Sequence, residues 1–331
     1  MAALPEYPAP SLVELRYLRP EQFDRLLAAE GDVWDTRLDW DFRPSADLVR
    51  RFVRMQSLGG YALVAGHEPV GYCYYVCEER KGLLGDIFIL PEYDAPDLEL
   101  ALVDASLRAV WSTPGIHRVE SQLMLLSSAA AARMPDRLRM ETFRRQFMIA
   151  ELTGRSSPLA HLPERSLPPG IEIVPWREYE QEAAARLIAR AYKGHVDASI
   201  NDQYCSVSGA RRFLHNIVQY PGCGSFQSAA SMCARDRVDG RLVGLSLASF
   251  IAYDVGHITQ ICVDPDWKGE GIGYEMLRRS SSALSGIGCR RVSLSVTSSN
   301  AEAVRLYERT GFRVAHEFDA FVWNRPELRA G

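Results

Sequence analysis

The stretch from Thr153 to Gly170 constrains the fold more than any other. It carries four prolines (Pro158, Pro163, Pro168, Pro169), a Ser-Ser pair and few apolar residues in any period. Proline fixes φ and removes a backbone donor, so such a stretch reads as a linker. On either side of it the same order of elements recurs. The second half opens with the alternating strand Ile171-Glu-Ile-Val and a helical segment from Tyr179 to Tyr192, with Ala184, Leu187, Ile188 and Ala191 on one face. The first half opens with Val13-Glu-Leu-Arg-Tyr-Leu and a helical segment from Glu21 to Ala29. A pair of strands then follows in each: Gly60 to Gly66 with Pro69 to Val76, and Ser228 to Ala234 with Leu242 to Phe250. Each half continues with a strand closed by proline (Ile87 to Pro91, Ile258 to Pro265), an amphipathic helix, and another strand from Arg118 or Arg290. A repeat of domain length is not a solenoid. The chain reads as a tandem duplication of one mixed α/β unit, with domains expected at 1–152 and 170–331 and a linker at 153–169.

The length of 331 residues suits two such cores. With 38 Lys+Arg against 42 Asp+Glu the net charge is -4, so no basic excess exists to neutralise a phosphate backbone or anionic lipid, and neither nucleic acid nor a membrane surface is expected as a partner. The start, Met1-Ala-Ala-Leu-Pro-Glu, has no charged segment followed by an apolar core, and the apolar runs are far shorter than a bilayer span; a cytoplasmic protein is expected. Seven cysteines without a Cys-x-x-Cys pair read as reduced structural thiols, with no metal site.

The chemistry is concentrated in Ile261-Cys-Val-Asp-Pro-Asp-Trp-Lys-Gly-Glu-Gly-Ile-Gly-Tyr-Glu-Met-Leu. A β-branched strand stops at Pro265, alternating glycines follow (Gly269, Gly271, Gly273), and a helix begins near Ile272. Glycines let backbone N–H groups approach an anion closely, and the helix N-terminus adds partial positive charge. A P-loop would need Gly-Lys-Ser/Thr after its second glycine, whereas Lys268 precedes the glycines; a dinucleotide fold would need Gly-x-Gly-x-x-Gly and an acidic residue ending the next strand, which here ends Val296-Thr297-Ser298.

Val263-Asp-Pro, Lys268-Gly-Glu-Gly-Ile-Gly and Asn300-Ala-Glu-Ala-Val-Arg-Leu-Tyr307-Glu-Arg-Thr-Gly-Phe312 together resemble the GNAT family of acyl-CoA-dependent N-acetyltransferases. The one departure is Lys268, where the family has Arg or Gln; positive charge is kept. The resemblance implies two tandem GNAT-like domains, acetyl-CoA as cosubstrate and a small-molecule or peptide amine as acceptor. It further implies that the backbone of Ile261, Cys262 and Val263 bonds the pantetheine arm, that the loop Lys268, Gly269, Glu270, Gly271, Ile272 and Gly273 holds the pyrophosphate, and that Asn300 contacts the pantetheine. Tyr307 lies where the family places the acid that protonates the departing thiolate; its other reading is a core aromatic.

An ammonium must lose a proton before it attacks. His257 has the strand position where one branch of the family carries a histidine, on the same strand parity as Val263, and an ordinary pKa near 6.5 suits it to the task; its other reading is a strand-start histidine satisfying backbone groups. Thr259 and Gln260 offer a water relay instead. Between Tyr192 and Tyr204, the residues His195, Asp197, Asn201, Asp202 and Tyr204 form either an acceptor site or a polar surface loop.

Aligning Pro91 with Pro265 sets Asp94 to Glu99 opposite Lys268 to Gly273. Every glycine is gone, Pro96 lacks an N–H, and three carboxylates would face a pyrophosphate. The first half is therefore expected to be silent, in a layout similar to that of mycothiol synthase, another tandem GNAT protein with one working half. Acetyl transfer by direct attack follows from these implications. The alternative is an acyl-CoA-binding sensor without chemistry.

Overall fold

A computed structural model describes residues 9–134, 139–155, 157–220 and 222–325. The chain order is β1 (Ser11–Glu14), α1 (Asp24–Leu38), α2 (Arg43–Arg54), β2 (Gly59–Ala65), β3 (Glu68–Glu78), β4 (Lys81–Ile89), α3 (Pro96–Ser112), β5 (Arg118–Gln122), α4 (Ser128–Ala131) and β6 (Met140–Glu151). It continues with β7 (Ile171–Pro175), α5 (Gln181–Ala191), α6 (Val196–Ile200), α7 (Val207–Gln219), β8 (Ser225–Phe226), β9 (Met232–Asp236), β10 (Leu242–Ala252), β11 (Val255–Val263), α8 (Ile272–Gly286), β12 (Arg291–Thr297), α9 (Ala301–Arg309) and β13 (Arg313–Asn324). The mixed α/β class expected from the sequence is the class observed.

Two compact units divide this chain. The first takes residues up to Asp35, Phe42–Arg144 and the residues from Phe318 on; the second takes Thr36–Asp41 and Arg145–Glu317. Each unit thus borrows a strand from the other half of the sequence. In the first, the end of β13 runs antiparallel to β5, with Ala320 opposite Gln122 and Asn324 opposite Arg118. In the second, β6 from Arg145 onward runs antiparallel to β12, with Arg145 opposite Thr297 and Glu151 opposite Arg291. Both strands carry buried apolar runs, Phe147 to Ala150 and Ala320 to Trp323, but partners this far apart along the chain leave no local trace.

Within the second unit the sheet runs β6, β12, β11, β10, β9, β7, with β8 on β10. Its two faces are covered by different helices. On one, Leu187 and Ile188 of α5 and Leu214 of α7 pack on Leu245 and Leu247 of β10. On the other, Leu277 and Leu284 of α8, with Tyr307 of α9 and Phe312, pack on Val292, Leu294 and Val296 of β12. Each fully buried aliphatic side chain contributes roughly 1.5–3 kcal/mol by leaving water, so these stripes fix both helices. The proline-rich segment belongs to this unit: Leu159 is buried in the same core as Tyr307, and Ser157 Oγ donates to the Glu151 carbonyl at 2.6 Å.

Two features of β11 make an opening. Its parallel pairing with β12 runs from Val255 opposite Arg291 to Ile258 opposite Leu294 and stops there, although the strands continue to Val263 and Thr297. On its other edge, Leu247 of β10 faces Gln260 while Ala248 faces Ile258, so Thr259 is an extra residue, a β-bulge. A bulge bends its strand and raises local twist, which turns β11 away from β12. From Thr259 to Val263 the backbone edge on that side has no strand partner.

Candidate active site

The opening between β11 and β12 leads into a cavity of about 320 Å³, bounded by β11, β12, the glycine loop, α9 and the segment around α6. Of the residues singled out in sequence, it brings together Ile261, Cys262, Val263, Lys268, Gly269, Gly271, Ile272, Gly273, Asn300 and Tyr307. It does not bring Glu270, which is exposed, or His257.

The glycine loop is built for close approach. Gly269 and Gly271 have φ of 84° and 81°, a left-handed conformation that costs a side-chain-bearing residue energy. Gly271 is the N-cap of α8 and has no side chain to bond the first-turn amides, whose first intrahelical bond is from the Glu275 N–H to the Gly271 carbonyl at 3.0 Å. Those free amides and the helix dipole suit an anion. The preceding turn is fixed from below: buried Asp264 accepts from the Asp266 N–H at 3.0 Å and from Arg190 Nε at 2.6 Å. The residues present therefore fit a pyrophosphate.

An additional cation comes from the proline-rich segment. The Arg165 guanidinium lies 4.9 Å from the ring centre of Tyr274, whose hydroxyl donates to the Pro163 carbonyl at 2.8 Å. A Cβ on Gly271 would sit 3.5 Å from Arg165 Cδ, so the arginine borders the cradle. Nothing in the sequence of a linker signals such a role.

At the inner end, Tyr307 is buried against Phe312 with ring centres 5.8 Å apart. Burial, and after it the negative charge of Asp197, holds its phenol well above the ordinary tyrosine value, so it stays a proton donor at neutral pH. Asn300 caps α9, accepting from the Ala303 N–H at 3.3 Å, and its Nδ2 lies 3.2 Å from His195 Nε2. His195 Nδ1 accepts from the Asp197 N–H at 3.1 Å, and Thr297 Oγ1 donates to Asp197 Oδ1. A polar chain runs beside them: Tyr204 Oη donates to Gln260 Oε1 at 3.3 Å, and Gln260 Nε2 donates to Tyr192 Oη at 2.8 Å. Tyr192 and Tyr204 stack with centres 4.4 Å apart. The segment that reads in sequence without a helical period thus folds as α6 and a 3-10 turn, and His195, Asp197 and Tyr204 face the cavity while Asn201 and Asp202 are not among its lining.

Cys262 lines the cavity as a neutral thiol, burial pushing it up to about 12. His257 sits elsewhere. Its Nδ1 is 2.9 Å from Ser293 Oγ, its ring lies against Phe147 and Trp40 at 6.0 and 5.3 Å, and burial lowers its pKa to about 4. The shared parity with Val263 is broken by the bulge: the extra residue Thr259 puts His257 on the face of Gln260 and Cys262 instead. A proton acceptor is thus absent where the strand pattern placed it, and Asp197 and His195 are present where the loop sequence left two roles open.

Residues 200–312, a span that includes the glycine loop and α9, match the acetyltransferase (GNAT) family. The chain is 26% identical to a mycothiol acetyltransferase of Acidimicrobium ferrooxidans over 284 residues, 82% of this chain and 84% of that one. It is 30% identical to a mycothiol acetyltransferase of Thermobifida fusca over 53% of this chain and 54% of that one. A GCN5-related N-acetyltransferase from Sphaerobacter thermophilus shares the fold across 98% of both chains, with a TM-score of 0.68 at 18% identity. A tandem GNAT protein from the clavulanic acid biosynthesis pathway does so over 95% of this chain and 98% of that one, with a TM-score of 0.66 at 16% identity. With the family motifs in one cavity and the fold of tandem GNAT proteins running through both halves, residues 200–312 carry a GNAT acetyltransferase domain, and the chain is an acetyl-CoA-dependent acyltransferase similar in layout to the mycothiol acetyltransferases it matches.

Proposed function

We propose that the protein transfers the acetyl group of acetyl-CoA to a primary amine of a small molecule or peptide, by direct attack in the cavity of the second unit. The observation that carries this reading is the meeting of a protonated phenol and a carboxylate, Tyr307 and Asp197, at the inner end of the opening. The free edge of Ile261, Cys262 and Val263 bonds the pantetheine, and the amides of the loop Lys268, Gly269, Glu270, Gly271, Ile272 and Gly273 hold the pyrophosphate. Asn300 contacts the pantetheine amide. Acetyl-CoA supplies a thioester whose carbonyl carbon accepts the attack.

The amine arrives as an ammonium and sheds two protons in all. The first passes to Asp197, with His195 beside it, freeing the lone pair. A nitrogen–carbon bond then forms, the carbon–sulfur bond breaks, and its electron pair leaves on sulfur. Tyr307 gives the sulfur a proton, and the second proton leaves the new amide nitrogen, so that one proton ends on the thiol and one in solvent. The neutral Cys262 thiol is a poor nucleophile, which supports direct attack over an acyl-enzyme. In this reading the first unit binds no acetyl-CoA.

Steady-state rates with both substrates varied test the order. Intersecting double-reciprocal lines are expected; parallel lines with an acetylated protein would overturn direct attack. Acetyl-CoA binding without turnover of any amine would return the protein to the role of an acyl-CoA sensor.

A further inference from the structure

Arg145 lines the same cavity but lies outside the glycine loop, the β11 edge and the proton-moving groups proposed above. It opens the part of β6 that belongs to the second unit, directly opposite Thr297 of β12. Residues opposite one another in an antiparallel pair project to the same face, so Arg145 and Thr297 share one side of the sheet. That side is the cavity, which Arg145 lines. Its Nε is fully buried and has no hydrogen-bond partner. No carboxylate of the described residues lies within ion-pair distance of its guanidinium. A buried guanidinium nitrogen without an acceptor costs about 1–3 kcal/mol or more, so an acceptor is expected to come from outside the chain.

Asp197, an anion of the same cavity, is engaged elsewhere. It accepts a hydrogen bond from the Thr297 hydroxyl, on the residue opposite Arg145, and has His195 Nδ1 within 3.8 Å, yet it does not pair with Arg145. Tyr204 lies within the field of both: Asp197 pushes its phenol up and Arg145 pulls it down, with burial the larger effect. The cavity therefore presents a cation and an anion that both bear on Thr297 and Tyr204 and form no ion pair with each other. A simple amine would satisfy the carboxylate and leave Arg145 Nε without an acceptor. A polyol would offer it only neutral oxygens.

We infer that the acceptor carries a carboxylate close to its amine, its ammonium facing Asp197 and its carboxylate engaging the Nε edge of Arg145. The planar guanidinium fork matches a carboxylate in two parallel bonds, which lysine cannot copy. The class is an α-amino acid or a peptide-like acid in which the two groups lie a few bonds apart. This assignment rests on the amine-acetylation reading and narrows it.

The test uses the full-length protein, acetyl-CoA and CoA release as the readout. The acceptors are the proteinogenic amino acids as free acids, the same amino acids as carboxamides, and spermidine and glucosamine as amines without a carboxylate. For the acids that turn over, kcat/KM is expected to exceed that of the matching carboxamide about tenfold to a hundredfold, the size of a charge-assisted bidentate contact. Arg145→Gln should collapse that ratio toward one, mainly through KM, and Arg145→Lys should restore part of it. Acetyl-CoA binding by each variant reports that the fold is intact; should Arg145→Gln fail to bind, the ratio in the unaltered protein decides alone.

A ratio near one in the unaltered protein, or equal losses for acid and carboxamide in Arg145→Gln, overturns the inference. So does turnover confined to spermidine or glucosamine, which leaves amine acetylation standing. Acetyl-CoA bound with no acceptor turned over would remove both readings together.

Discussion

In each unit a bulged strand is followed by its parallel neighbour for only four residue pairs: Lys81 to Leu84 against Arg118 to Ser121 in the first, Val255 to Ile258 against Arg291 to Leu294 in the second. The bulges correspond, with Gly85 and Asp86 opposing Tyr74 in the first unit and Thr259 standing extra in the second. The units diverge at the end of the bulged strand. After β11 come two left-handed glycines and a helix whose first amides are free. After β4 comes Pro91–Tyr93 in a 3-10 turn, then α3 starting at Pro96 with Asp97 and Glu99 in its first turn. Glu99 turns its carboxylate inward and accepts from the Ser127 N–H at 2.9 Å. The helix start that would hold a phosphate therefore carries the chain's own anion. Duplication kept the framework, which rests on alternating apolar strands, and changed the six residues on which anion binding depends.

The largest effect expected is from separating the halves. Residues 170–331 expressed alone would lack β6, leaving β12 without its antiparallel neighbour, along with the buried Met148, Ala150 and Leu159 of the shared core. Losing several such side chains at about 2–5 kcal/mol each exceeds the stability of an ordinary domain. Neither a cooperative thermal transition nor acetyl-CoA binding is expected. A folded, active 170–331 fragment would show that the borrowed strand is dispensable.

Next is the contrast between the two helix starts. Isothermal titration with acetyl-CoA should give a stoichiometry near one. Gly271→Asp should abolish it, because a Cβ is strained at φ 81° and the added charge repels phosphate. Asp97, exposed and paired with Arg133 at 2.6 Å, lies outside any such site, so Asp97→Gly should leave binding unaltered. A stoichiometry of two would put a working cradle in the first unit and end the contrast.

Tyr307→Phe should lower kcat by roughly 10²–10⁴, the usual worth of general acid–base catalysis, with acetyl-CoA affinity nearly constant. Near-native turnover with chemistry shown to be slow would remove Tyr307 from the acid role.

Much of the site was legible in sequence for a physical reason. The glycine loop and the Asn300 to Phe312 run are local: spacing along the chain sets spacing in space, and both resolve into one cavity. The repeat was legible because alternating strands and amphipathic helices show their period within a few residues. The remaining features depend on partners distant in sequence. Nothing near Arg145 tells that Thr297 will stand opposite, and nothing near Arg165 tells that it will border Gly271. The reading of His257 failed for a subtler reason: counting parity through a strand assumes no bulge, and one inserted residue at Thr259 reverses every face before it.

The smallest effects distinguish the units by the sign of their pH dependence. In the first unit, Tyr72 Oη donates to Glu30 at 2.8 Å, and Asp86 stands at the bulge; burial raises Asp86 to about 7, and burial together with the charge of Asp86 raises Glu30. A carboxyl whose folded pKa exceeds its unfolded value near 3.9 binds protons more tightly when folded, so its contribution is present below about pH 4 and is lost as pH rises toward 7. In the second unit His257 is the reverse: neutral and buried, with a folded pKa of about 4 against 6.5 unfolded, it contributes above pH 6.5 and that contribution is lost as pH falls toward 4. Asp86→Asn keeps an acceptor for the Ile87 N–H and removes the charge, so it should raise the melting temperature more at pH 8 than at pH 4. His257→Gln should be better tolerated at pH 4.5 than at pH 8, and should leave the acidic limb of the rate profile in place because His257 does not reach the cavity. At about 1.4 kcal/mol for each tenfold change in proton affinity, each trend amounts to a few kcal/mol, or several degrees in Tm. Differences independent of pH for both variants would mean that neither group is held in the protonation state its burial imposes, and a lost acidic limb in His257→Gln would return that histidine to the catalytic path.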